Sequence, residues 1–317
     1  MDALSDVLRV IRLSGGVFLE ARFSAPWCVS GRMSAEDCKP FQVAPRHVIA
    51  LHYVSSGRMY LRIGDGEAIE VCSGELVLLP HNAPHILGSE ITDEPVSARE
   101  LVRPPLAGEL ARIEHGGGGE STQILCGYLG SDHPFGPLLS SLPAVLKLDV
   151  GSTPIGAWVE SSFRFAASQI AAGRVGSSSV VAKLAELLFV EAVTHYIDNL
   201  PADKAGWLAG VHDPNIGRAL ALLHGSPAKD WTAEALAVEV GMSRSGFAER
   251  FTSLVGQSPM HYLTLWRMQL AAQQLRESRD SVSKVGYAVG YESEAAFSRA
   301  FKREFGASPA EWRRRGG

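Results

Sequence analysis

The chain is 317 residues long, 46% hydrophobic, 20% charged and 8% aromatic, with a formal net charge of −4; such a composition specifies about two globular domains and excludes wholesale disorder. No apolar run approaches the roughly 20 residues that span a bilayer, the first residues show no basic stretch followed by an apolar core, and the four cysteines (Cys28, Cys38, Cys72, Cys126) form no CxxC pair. These features argue against a membrane span, a disulfide framework and a zinc knuckle, no secretory signal is visible, and a cytoplasmic protein with reduced thiols is expected.

Residues 46–87 read as short strands closed by tight turns. Residues 47–54 are apolar up to Gly57, residues 59–63 alternate, Gly64-Asp65-Gly66 is a hairpin signal, and residues 68–71 and 76–79 follow. Closely spaced strands of this kind build a small barrel or sandwich. The glycine run 116–119 is expected to be a mobile surface loop before the strand pattern resumes over 123–129. From Gly156 to about Asn199 the apolar period becomes helical. Trp158, Phe163, Phe165 and Ile170 mark one amphipathic helix, Val180, Leu184, Leu187, Leu188 and Val193 a second, and residues 173–179 their connection. Such a pair is core or a subunit contact. Residues 201–214, with Gly206 and Gly210, hold the breakers of an interdomain linker.

From residue 213 onward the chain carries 14 Lys+Arg against 11 Asp+Glu, a net of +3, and the remainder carries −7. A phosphate-binding surface therefore belongs in the C-terminal third. The same third repeats itself. Phe247, Phe251, Gly256, Ser258 and Pro259 recur 50 residues on as Phe297, Phe301, Gly306, Ser308 and Pro309, and Gly241 answers to Gly290 at 49. Each unit is a short helix, a glycine turn and a second helix capped by serine. In the first, Thr232 caps a helix striped by Leu236 and Val240, and a helix from Ser243 buries Phe247 and Phe251. In the second, a helix over 281–289 precedes one from Ser293 that buries Phe297 and Phe301. A helix from about Pro259 to Glu277, apolar at Tyr262, Leu263, Trp266, Leu270 and Leu275, joins the two. One helix-turn-helix is a weak signal, whereas two on a rigid connector suit B-DNA, where recognition helices about 34 Å apart enter successive major grooves.

Gly290-Tyr291-Glu292-Ser293, followed by Phe297-Ser298-Arg299-Ala300-Phe301-Lys302-Arg303-Glu304-Phe305-Gly306-Ala307-Ser308-Pro309-Ala310-Glu311-Trp312-Arg313, resembles the signature of AraC/XylS-type transcription regulators, over roughly residues 213–315. The resemblance implies that the helices starting at Ser243 and Ser293 are the recognition helices. It places Arg244, Ser245, Ala248 and Glu249 of the first, and Glu294, Ala295, Ser298 and Arg299 of the second, against bases and phosphates. The residues themselves agree, because these positions lie opposite the buried phenylalanines. Arg299 is the leading candidate for a phosphate or guanine contact, Glu249 and Glu294 either accept from cytosine amines or repel wrong sites, and Ala248 and Ala295 are limited to thymine methyls.

The stretch from Gly74-Glu75-Leu76 through Leu79-Pro80-His81-Asn82-Ala83-Pro84-His85 resembles the second motif of cupin barrels, with Asn82 in place of the usual glycine. Of the first motif, His52 fits the leading histidine, but Val54 and Gly57-Arg58 stand where a second histidine and a glutamate belong. Two of four ligands are present, and a divalent metal with open coordination needs about three. A third would come from His81 or Cys126. With the set incomplete, no cofactor and no enzymatic activity are expected, and His52, His81, His85 and Cys126 are read as lining an effector pocket. A cupin-like domain joined to such a C-terminal pair resembles the arrangement in AraC-type regulators whose barrel binds an effector or dimerises the protein.

The expected fold is α+β. An N-terminal cupin-like β-barrel (1–150) and a helix pair that dimerises (151–200) lead through a linker (201–212) to an all-α DNA-binding domain with two helix-turn-helix motifs (213–317). The expected function is transcription regulation in response to a small effector, by a homodimer that binds double-stranded DNA and meets RNA polymerase. A fragment from about Val211 is expected to fold and bind DNA alone.

Overall fold

The computed structural model describes residues 3–11, 13–33, 47–92, 94–103, 111–131, 136–151, 161, 165, 177–200 and 205–315. They form two compact units, one of Leu13–Pro134 with Leu142–Asn199, the other of Met1–Arg12, Phe135–Ser141 and Leu200–Gly317. None of the described helices is long and apolar enough to cross a membrane.

Helix α1 (Ala3–Ile11) leads into strands β1 (Ser14–Ser24), β2 (Cys28–Gly31), β3 (His47–Ser56), β4 (Arg58–Ile63), β5 (Ile69–Cys72), β6 (Glu75–Leu79), β7 (His85–Gly88) and β8 (Val96–Ser97). Helix α2 (Ala98–Leu101), strands β9 (Ala111–Gly116) and β10 (Ser121–Ser131), helix α3 (Gly136–Ser141), strand β11 (Leu146–Asp149) and helix α4 (Ser177–Asp198) follow. The strands make two sheets, ordered β11-β6-β3-β10-β1-β9 and β5-β4-β7-β2-β8. The β1/β9 and β2/β8 pairs are parallel and the others antiparallel. No strand pairing links the two sheets among the described residues, so the expected barrel is present as a two-sheet domain and not as a closed ring of hydrogen bonds. Ala21, Phe23, Val54, Met59, Val71 and Val77 share one core. Helix α4 packs on β1, β10 and β11 through a stripe that includes Leu188, Ala192 and Val193, all buried. Strand β3 lies inside its sheet between β6 and β10, is buried along nearly its whole length and reads as an apolar run instead of alternating.

Of the expected helix pair, the second is α4, which starts at Ser177, inside the expected connection. The first, with Trp158, Phe163 and Ile170, lies outside the described residues. The glycine run 116–119 departs from expectation. The amides of Gly117 and Gly118 donate to the Ser24 carbonyl and hydroxyl oxygens, and Gly119 donates to the Ala25 carbonyl, each at 2.8–2.9 Å. Three amide anchors tie down a segment that composition alone marks as loose.

The helical unit contains α5 (Trp207–His212), α6 (Pro214–Gly225), α7 (Ala233–Glu239), α8 (Arg244–Val255), α9 (Pro259–Glu277), α10 (Val282–Ala288), α11 (Glu294–Phe305) and α12 (Pro309–Arg315). Their starts follow from side-chain caps. The hydroxyls of Thr232, Ser243, Ser281 and Ser293 accept from the amides of Ala235, Gly246, Lys284 and Ala296 at 3.0–3.2 Å, each satisfying an orphan donor. Helices α8 and α11 both stop at a left-handed glycine, Gly256 and Gly306. Phe247, Phe251, Phe297 and Phe301 are fully buried, as their spacing requires.

The expected linker contains a helix. Trp207 and Leu208 of α5 are buried against α6 and α8, and the Trp207 Nε1–H donates to the Tyr262 hydroxyl at 2.8 Å. The Tyr262 hydroxyl in turn lies 2.7 Å from His224 Nε2. Helix α1 packs on α6 and α9 in the same unit, with Ala3 and Val7 buried. A fragment starting at Val211 therefore omits part of this unit's core.

Candidate functional site

The helix pairs α7–α8 and α10–α11 turn at Gly241 (φ 71°) and Gly290 (φ 88°), where the left-handed backbone favours glycine. Each turn leaves its second helix with a capped N-terminus and one free face. On those faces Arg244, Ser245, Glu249, Glu294, Ala295 and Arg299 are exposed and Ala248 and Ser298 partly so, opposite the buried phenylalanines. All eight expected positions therefore fall on two equivalent helix faces. Arg244 and Arg299 have no ion pair or hydrogen bond among the described residues. By contrast Arg250, further along α8, donates through Nε (2.9 Å) and Nη2 (2.5 Å) to the Asp213 carboxylate. Burial opposes ionisation of Asp213, but those bonds and the amides of Ile216 and Asn215 outweigh it and hold its carboxyl below the usual range.

The repeat also exposes a charge reversal. Arg244 stands opposite Glu294 and Glu249 opposite Arg299 at the 50-residue separation. A cation in the first turn of a helix is disfavoured by the helix dipole by about 0.3–1 kcal/mol, whereas Glu294 is favoured there. Arg244 therefore sits against the helix dipole, and Glu294 with it.

The N-terminal unit contains a cavity of about 1270 Å³. It is walled by Leu19, Ala21 and Phe23 of β1, by Ala50 of β3, and by Ile113 and Ile124, with His52, His81, His85 and Cys126 among its lining. Three of those four polar residues meet. Cys126 and His52 are paired across β10 and β3, and His52 Nδ1 lies 3.2 Å from Cys126 Sγ. His52 Nε2 lies 3.0 Å from His85 Nε2, and His85 Nδ1 lies 2.9 Å from the Ala83 carbonyl oxygen. Burial lowers both imidazole pKa values, that of His52 further through the neighbouring His85, and pushes the Cys126 thiol up to about 12.

Neutral rings and a protonated thiol assign every proton in this chain. The Ala83 carbonyl only accepts, so His85 Nδ1–H donates to it and His85 Nε2 accepts. His52 Nε2–H then donates to His85, and the Cys126 S–H donates to His52 Nδ1. Both ring nitrogens of each histidine are thereby satisfied. His81 stays outside the chain, exposed, with Nε2 3.2 Å from the Leu142 carbonyl oxygen.

Two residues that the sequence did not single out for this role support the arrangement. A Cβ on Gly31 would meet His85 Nε2 at 3.1 Å. Asn82 is the one non-glycine residue with positive φ among the described residues (48°), a conformation asparagine tolerates, and its side-chain amide bonds both the amide and the carbonyl of Met33. A metal centre of the cupin type does not fit the described residues. No group of three or more suitable His, Cys, Asp or Glu occurs among them, and Cys126 Sγ lies on the ring nitrogen of His52 that faces away from His85.

Residues 2–198 match the cupin family and residues 236–315 a helix-turn-helix domain family. A putative AraC-like transcription regulator of Streptomyces antibioticus is 31% identical over 99% of both chains. The HTH-type transcriptional regulator AlkR of Acinetobacter baylyi is 28% identical, again over 99% of both. Among solved structures, an AraC-type DNA-binding domain-containing regulator from Chromobacterium violaceum is 26% identical over 33% of this chain and 93% of its own, with a TM-score of 0.32. The chain belongs to the AraC-type family of transcription regulators, with an N-terminal domain of the cupin family and a C-terminal helix-turn-helix domain.

Proposed function

We propose that this AraC-type regulator docks α8 and α11 in successive major grooves, with Arg244, Ser245, Ala248, Glu249, Glu294, Ala295, Ser298 and Arg299 as the residues that meet DNA. The observation that carries this reading is the pair of capped second helices, each with an exposed face opposite its buried phenylalanines that carries one arginine, Arg244 in the first turn of α8 and Arg299 further along α11. Because the charges are reversed between the helices, the two boxes of the operator differ. Arginine favours guanine and glutamate favours the cytosine amine, so the guanine lies toward the N-terminal end of α8 in one box and one and a half turns along α11 in the other.

The N-terminal segment (1–150) is the sensor in this reading, its two sheets forming the walls of a cupin-type barrel. The cavity takes an effector with a mainly apolar body, because its histidines already satisfy one another and the carbon-rich strands β1 and β3 supply the wall. Residues 151–200 pair two copies into a cytoplasmic homodimer, the DNA-binding segment begins with α5 and not at residue 213, and the bound protein meets RNA polymerase.

Genome-wide mapping of bound sites, followed by footprinting of the full-length protein at one of them, tests the docking. Two protected boxes one helical turn apart are expected. Protection of a single box would overturn the two-groove reading.

A further inference from the structure

The geometry points to Arg267 as a positioning residue that fixes the spacing between the two helix-turn-helix motifs, and so the base-pair spacing the protein accepts. The inference rests on the two-groove reading above. Arg267 sits midway along α9, the helix that joins the motifs, and is half-buried. Its Nε donates to the Pro227 carbonyl at 2.7 Å and its Nη2 to the Lys229 carbonyl at 3.0 Å. That loop runs directly into Thr232, the cap of α7, so the guanidinium holds the entrance to the first motif.

The same Nη2 also lies against the turn of the second motif. A Cβ placed on Gly290, in the turn between α10 and α11, would lie 2.8 Å from Ala228 Cα, 2.9 Å from Arg267 Nη2 and 3.0 Å from the Ala228 carbonyl oxygen. The turn of the second motif is therefore seated on the loop of the first, with Arg267 joining both to α9. Burial opposes the charge on Arg267, and Asp230 of the loop favours it. The loop is itself rigid. Trp231 Nε1–H donates to the Ser226 carbonyl at 3.0 Å, and Lys229 Nζ lies 3.8 Å above the Trp231 ring.

The two cores alone would not define this geometry. Met268, Ala272 and Leu275 of α9 pack in the second core, whereas Tyr262 meets Phe251 of the first. A single helix between two cores leaves each motif free to rock about its own packing. The planar donor fork of Arg267 fixes direction as well as distance, which a lysine ammonium does not.

The test uses the full-length protein and the duplex it selects from a random DNA library. That duplex is compared with versions carrying one or two inserted base pairs between the boxes, and with one whose second box is scrambled. Each inserted pair shifts the second box by about 3.4 Å and turns it by about 35°. The parent protein is expected to lose roughly a hundredfold in affinity on insertion, the order of gain that a matched second contact supplies.

Arg267→Ala is expected to bind the unaltered duplex more weakly than the parent, the scrambled-box duplex equally well, and the inserted duplexes with a penalty reduced to about tenfold or less. Arg267→Lys, which keeps the charge, is expected to lie between, and it carries the test if the alanine variant melts. A parent protein indifferent to spacing would overturn the two-groove reading itself. A steep parent profile reproduced unchanged by both variants would overturn the role of Arg267 alone.

Discussion

Replacing Arg299 by alanine separates reading DNA from holding the fold. Arg299 is exposed on α11, and its neighbours Phe297, Ala300 and Phe301 carry the packing, so the substitution removes nothing from the core and alanine is at least as good a helix former. Unfolding free energy should change by less than about 0.5 kcal/mol. Affinity for the selected duplex should fall by roughly 1–3 kcal/mol, or about 5- to 150-fold, if the guanidinium reads a base edge. A phosphate contact instead weakens all sequences alike and lowers the salt slope of log K by about one. Arg250→Ala is the matched control. It leaves the buried Asp213 carboxylate with backbone donors only, which should cost about 1–3 kcal/mol of stability. Fluorescence anisotropy over a salt series gives affinity, and urea unfolding gives stability. If Arg299→Ala binds as tightly as the parent at every salt concentration, α11 does not dock through this face and the groove assignment fails.

Truncating Trp207 to alanine should destabilise the helical unit by about 3–5 kcal/mol, as removal of a buried aromatic does, and a C-terminal fragment beginning at Val211 should be less stable than one beginning at Ala205 by a similar amount. Urea unfolding checks both, and equal stability of the two fragments would refute the packing of α5. The pH dependence follows from four histidines, His47, His52, His85 and His224, whose folded pKa is lowered by burial, to about 3 for His224. Below their unfolded value near 6.5 the unfolded chain binds the extra protons, so stability is full above that pH and falls as the pH drops toward the folded values. Each should contribute up to about 1.4 kcal/mol per pH unit. Unfolding curves at pH 7.5, 6.5 and 5.5 read this out, and a double His52→Leu, His85→Leu variant with an undiminished slope would exclude the pair as a source.

The helical third was legible because its signals are local. A serine or threonine cap, a left-handed glycine and two phenylalanines a turn apart act within a dozen residues, and the 50-residue repeat states the pattern twice. The register of α9 over Pro259–Glu277 agrees with the expected bounds for the same reason. Helix α5 was hidden by Gly206 and Gly210, which read as breakers. Gly206 does break the chain, as the positive-φ residue just before α5 (φ 125°). Gly210 lies inside the helix, where a Cβ would meet Val255 at 3.0 Å, so close packing keeps it small.

The sheet unit was legible only strand by strand. Residues 47–54, 59–63, 76–79 and 123–129 carry enough apolar or alternating pattern to stand out, and each falls on an observed strand. Strand β1 opens on Ser14-Gly15-Gly16, which carries little strand propensity, yet it pairs with both β10 and β9, because pairing on either side supplies what propensity does not. The polar core of the cavity needed more still. His52 and His85 were marked by motif spacing, but Cys126 reaches them only through the antiparallel register that sets it opposite His52, 74 residues away in sequence. A shift of that register by one residue would turn Cys126 to the other face of the sheet and leave His52 Nδ1 buried without a donor. The hydrogen-bonded chain and the register therefore specify each other, and a relation of that kind becomes visible only once the strands are paired.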